Sequence, residues 1–194
     1  MLRPASTFSS LAGVAAPPGR WMLLRRPLAV SGLLACVVSL IASGVLTLRL
    51  IVPAIIVWSY VPIVLILALA AVTWPRRHTV PFSRAVDVFF TGYGPWAIFL
   101  IALASALSFL PPEIGWERAR LWLGGIGLVV IWSAYLDYWF FRAVYRATPL
   151  AAVRDVLIVR LISWTLIFWI FAVPASTPLG VFGEVVVAVR ELTR

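Results

Sequence analysis

Residues 27–75 read PLAVSGLLACVVSLIASGVLTLRLIVPAIIVWSYVPIVLILALAAVTWP, and a single residue among them, Arg49, carries a charge. A soluble domain needs polar side chains to cover its outside, and this stretch has too few to be coated for water. Taken as one helix, the apolar run from 28 to 74 would reach about 70 Å at a rise of about 1.5 Å per residue, more than twice the hydrocarbon thickness of a bilayer. It therefore reads as two crossings, 28–47 and 52–74, with Arg49 and Pro53 marking a tight turn and Pro62 kinking the second.

The rest of the chain has the same character. Of 194 residues, 63% are hydrophobic and 12% charged, with a mean hydropathy of +1.04, whereas a soluble domain is about half apolar and a quarter charged. The composition places residues 27–174 in one all-α, polytopic transmembrane helix bundle, flanked by a basic cytoplasmic tail at 1–26 and an amphipathic tail at 175–194. Ala15-Ala16-Pro17-Pro18-Gly19 breaks the first tail, which reads as mobile. Residues 28–47 are expected to stay as a span rather than to be cleaved as a signal, because the first apolar run flows almost directly into the second.

Beyond Pro75, Phe82, Ala85, Val86 and Phe89 recur at helical spacing while Arg84 and Asp87 fall elsewhere on the wheel, which predicts an interfacial helix at 81–90. Gly92-Tyr93-Gly94-Pro95 then leads into a third span at 95–110, closed by Pro111-Pro112. The fourth, 121–141, opens on Gly124, Gly125 and Gly127 and closes on Trp132, Tyr135, Tyr138 and Trp139. Thr148 before Pro149 is an N-cap followed by proline at the first helical position, so the helix carrying the fifth span, 154–173, is expected to begin at 149. Gly32, Cys36, Ser39 and Ser43 form a small-residue stripe suited to close packing in the first span. The valines of 181–194 fit a short helix lying on the membrane, or a strand.

Five alternating spans divide the basic residues unevenly. All sixteen are arginine; ten fall on the side of residues 1–26 and five on the other, which holds all four glutamates. The positive-inside rule then puts the N-terminus in the cytoplasm and the C-terminus outside, in a bacterial cytoplasmic membrane. A net charge of +9 would suggest nucleic acid in a soluble protein. Here the arginines flank hydrophobic runs, so the expected partners are the bilayer, anionic lipid headgroups and other membrane proteins or further copies of the chain, without nucleic acid.

Few residues invite chemistry. Cys36 is the only cysteine and His78 the only histidine, so an intramolecular disulfide, a multi-cysteine metal site and bis-histidine haem ligation are excluded, and no cofactor is expected. His78 has no Asp, Glu, Cys or second His near it in sequence, and no serine or tyrosine sits in a recognisable triad context. Asp137 and Arg160 stand out because each lies inside an apolar span and must face protein, water or a partner. Measured from Arg142 and Arg154 as boundary markers, both lie about 8 to 9 Å inward on neighbouring antiparallel helices. They read either as an interhelical ion pair or as a gate, proton or anion site aided by Tyr138 and Trp164; the remaining choice is that Arg160 snorkels while Asp137 pairs with Arg142. Arg76, Arg77 and Arg84 are candidates for lipid-headgroup contact, or mark topology alone.

The segment Pro81-Phe82-Ser83-Arg84-Ala85-Val86, followed by Gly92-Tyr93-Gly94-Pro95 at the start of a third of five spans, resembles bacterial members of the YIP family, whose eukaryotic relatives contact Rab-type GTPases. The likeness covers residues 28–173 and includes the connection from Phe141 to Arg154. The N-terminal tail departs from the family in being short and basic, without an acidic GTPase-contact motif. The resemblance implies a scaffold, adaptor or subunit of a membrane complex rather than an enzyme, and it brings no catalytic residues. The alternative expectation is a small transporter or channel subunit working through Asp137 and Arg160, with a polar cavity between the fourth and fifth spans.

Overall fold

The computed structural model describes residues 3–13, 20–76, 78–109 and 115–172; Arg77 and the tail at 175–194 lie outside the described residues. Within them the chain is all helical. Helix α1 covers Pro4–Gly13, α2 Arg20–Ser43, α3 Leu48–Trp58, α4 Tyr60–Thr73, α5 Phe82–Thr91, α6 Gly94–Phe109, α7 Gly115–Val144 and α8 Pro149–Ala172, with a 3-10 turn at Trp74–Arg76. Three stretches are long and apolar enough to cross a membrane: Leu23–Leu40, Leu48–Arg76 and Gly124–Val144. A fourth arises if α5 and α6, bent by 45° at their junction, are taken as one.

Local chemistry explains the breaks. At the end of α2 the chain reverses through Gly44, whose φ of +69° is costly for any residue with a Cβ. Two members of the small-residue stripe lock this reversal. Ser39 donates to the Val45 carbonyl at 2.9 Å and accepts the Thr47 N–H at 3.0 Å, while Ser43 donates to the Ser39 and Val45 carbonyls. These two serines thus build a turn, whereas at Gly32 a Cβ would meet nothing within 4 Å, so the stripe makes no close helix contact there. Pro62 cannot donate to the carbonyl four residues back, and the helix is interrupted at Ser59 between α3 and α4. The start of α8 is as read from sequence: it begins at Pro149, and the Ala151 N–H meets Thr148 Oγ1 at 3.3 Å.

Two expectations need correction. Residues 1–26 are not simply a mobile tail, because α1 packs along α7 and places Phe8 in the core with no exposed surface. The interfacial helix expected at 81–90 is instead an inner element. Ala85 through Phe90 are six consecutive buried residues, covering every side of a helix, and α5 is surrounded by α1, α2, α4 and α7. The sequence pattern misled because Asp87, set on the polar face of the wheel, is buried as an ion pair.

The core gathers where α1 and α5 meet the later half of α7. The Phe140 ring lies edge-on to Phe8, Phe89 and Tyr145, with centroids 6.2, 5.4 and 5.8 Å away, a geometry that suits the ring quadrupole. Leu69 of α4 and Ala152, Val156 and Val159 of α8 complete the cluster. Residues left outward on α7, Leu128, Ile131, Trp132 and Tyr135, follow helical spacing, as do Leu150, Val153, Leu157 and Leu161 on α8. Both helices therefore carry one apolar stripe turned away from the bundle.

Candidate functional site

Each of the chain's three aspartates is buried, and each is met by arginine from another helix. A carboxylate removed from water is costly unless a charge and hydrogen bonds replace its hydration, so these contacts show where the fold commits its polar groups. Asp87 on α5 is 3% exposed. Arg25 of α2 grips it with a fork, Nε to Oδ1 and Nη2 to Oδ2, both at 2.6 Å. Arg26 adds an Nε contact to Oδ1 at 3.1 Å, a hydrogen bond to the Asp87 carbonyl at 2.9 Å and another to Thr91 Oγ1.

Asp155, in the first turns of α8, accepts from Arg76 Nη1 at 2.6 Å, which ties the end of α4 to α8. Its other oxygen receives Arg154 Nε and Nη2 at 3.2 and 3.0 Å. Asp137 on α7 accepts two hydrogen bonds on Oδ2 from Arg160 of α8, one from Nε at 2.9 Å and one from Nη2. The two residues singled out within apolar spans thus come together, while Arg142 donates instead to the Ala147 carbonyl at 2.8 Å in the α7–α8 turn. Nearby, burial pushes the Tyr145 hydroxyl above its ordinary pKa, outweighing a hydrogen bond with Thr73 and the field of Arg76, both of which act downward.

Of the three arginines considered for headgroups, Arg76 is engaged with Asp155, and Arg84 donates to the Leu11 carbonyl, joining α5 to α1. Arg77 lies outside the described residues. Sequence reasoning did not single out Asp87 and Asp155. The available signal was their setting: Asp87 lies within Ala85-Val86-Asp87-Val88-Phe89-Phe90, and Asp155 abuts an apolar run. An acid in such company must be buried with a partner or hold the helix at the surface.

A cavity of about 390 Å³ lies between α2, α4, α6 and α8. Most of its wall is apolar, including Leu33, Leu100 and Ile167, while Arg26, Arg160 and Ser163 bring polar groups to it. It does not lie between α7 and α8, where a transport role was expected to require a polar space, and among the described residues none of α7 lines it. Among the described residues no group of three or more His, Cys, Asp or Glu could hold a metal ion. Comparison with family models, curated proteins and solved structures found no match for this chain.

Proposed function

We propose that this chain is a multi-pass membrane protein that acts without catalysis, as a scaffold, adaptor or subunit of a membrane complex. The observation that carries this reading is the closure of all three buried aspartates on arginines of other elements, α5 to α2, the 3-10 turn after α4 to α8, and α7 to α8. These charges cross-link the bundle instead of standing free as acid, base or ion ligand. A transport path through Asp137 and Arg160 would call for a wetted, polar route, and the neighbouring cavity is mainly apolar.

The reading includes five crossings: α2, α3 with α4, the bent α5–α6 pair, α7 and α8. The length of α8, 24 residues or about 36 Å, supports the last. The charge asymmetry supports a cytoplasmic N-terminus in a bacterial inner membrane. The resemblance to the YIP family fits the same picture. The apolar stripes on α7 and α8 supply surface for lipid, for partner helices or for a second copy.

Reconstitution into liposomes tests the function. Vesicles carrying the protein are expected to hold a proton or chloride gradient as long as empty ones, and a leak abolished by Arg160→Met in protein that still inserts and unfolds cooperatively would overturn the scaffold reading in favour of transport. Topology is tested separately by single-cysteine labelling in a Cys36→Ser background. Probes at Ser10 and Thr79 should label from the cytoplasmic side and one at Val45 from the other.

A further inference from the structure

We infer that the cavity between α2, α4, α6 and α8 is a binding site for an anionic single-chain amphiphile, its acidic head at Arg26, Arg160 and Ser163 and its chain along the apolar wall. This goes beyond the scaffold reading and does not depend on it. The cavity's volume, about 390 Å³, falls within the roughly 300–1,000 Å³ of small-molecule sites, which pair a mainly apolar lining with a few placed polar groups.

The charged groups share one sign. Arg26 and Arg160 both reach the cavity, and although each is also bound to an aspartate, Asp87 is shared between Arg25 and Arg26, leaving one positive charge uncompensated. Gly94 lies on the wall at the first position of α6, a helix of 16 residues whose N-terminal dipole favours negative charge. A Cβ built on Gly94 would meet nothing within 4 Å, so this backbone borders open space.

Ser163 provides an independent sign. It is 3% exposed, lines the cavity, and its hydroxyl has no hydrogen-bond partner. Four other buried hydroxyls, those of Ser31, Ser39, Thr73 and Ser133, each donate to a backbone carbonyl. A buried hydroxyl left unpaired is costly, and an acidic oxygen in the cavity would complete it. Away from these groups the wall becomes apolar: Leu34 lies eight residues beyond Arg26 and Ile167 seven beyond Arg160, about 10 to 12 Å along their helices. Charge at one end and an apolar trough of that length match the acidic head and the first half of the chain of an eighteen-carbon fatty carboxylate or lysophospholipid phosphate, which share this chemistry.

Native mass spectrometry of the full chain, released from detergent and titrated with stearate, stearoyl lysophosphatidate or stearyl alcohol, tests the inference. One adduct per chain is expected for an anionic probe, with affinity at least about tenfold above that of the alcohol, and Ser163→Ala should weaken it about tenfold through loss of one charge-assisted hydrogen bond. Gly94→Leu should fill the space and abolish the adduct, while both variants unfold at the parent's temperature. Binding of stearate alone assigns a free carboxylate, and binding of lysophosphatidate alone assigns a phosphate-bearing lipid. Equal affinity for the alcohol, absence of any adduct, or an adduct indifferent to both substitutions would overturn the inference.

Discussion

Replacing Arg160 by methionine retains much of its apolar stem but leaves Asp137, 6% exposed, without the two donors that meet its Oδ2. The expected cost is about 3–5 kcal/mol, the range for stranding one partner of a buried ion pair. Asp137→Asn should cost less, about 1–3 kcal/mol, because the amide oxygen can still accept and the Arg160 side chain, 20% exposed, already borders the cavity. The double variant removes both charges, so its cost should fall below the sum by a coupling of about 2–3 kcal/mol. Unfolding in detergent, followed by tryptophan fluorescence, reads all four corners of the cycle. Interhelical hydrogen bonds in membranes couple by about 0.6 kcal/mol on average. A coupling at or below that value would refute the claim that a charged pair clamps α7 to α8.

Phe8→Ala should cost about 3–5 kcal/mol as a fully buried aromatic truncation, and faster hydrogen exchange across Pro4–Gly13 would report the release of α1. Asp155→Ala should destabilise the chain by about 3–5 kcal/mol because it strands Arg76, whereas Arg154→Ala should change stability by less than about 1 kcal/mol, since the Arg154 side chain is 61% exposed; thermal unfolding of the two distinguishes them. Gly125→Leu should cost about 1–3 kcal/mol, because a Cβ there already comes to 3.1 Å from the Phe99 ring and the larger side chain must part α6 from α7; chemical unfolding measures it. The raised pKa of Tyr145 means that its contribution is complete below the ordinary tyrosine pKa and is lost as pH climbs through the folded value, so Tyr145→Phe should flatten the fall in stability on the alkaline side.

The helical segments were legible because the constraint behind them is coarse: long apolar runs, proline breaks and Thr148-Pro149 depend on local composition. The Asp137–Arg160 contact was legible for a related reason, since two isolated charges at equal depth on adjacent helices have few other places to go. Helix α5 was misread because an amphipathic wheel looks the same whether its polar side faces water or a pair of arginines. Arg25 and Arg26 lie more than sixty residues from Asp87, and nothing local to either segment announces the match. Docking of α1 was hidden too, because one phenylalanine in a segment rich in serine and alanine carries no periodic signal. The cavity depends on how four helices meet, which no single segment encodes.

Phe8 and its seat beside Phe140 are about 130 residues apart, so at roughly 5–20 residues per second a ribosome makes the seat some 7 to 26 s after the ring. During that interval α5 is made first, and until Phe140 follows it α1 lacks the α7 side of its seat. The seat of α1 along α7 is therefore complete only after α2 to α6 have been made. A bulky fusion joined just ahead of Pro4 would burden that closing step, even though the fusion itself lies far along the chain from the helices it disturbs.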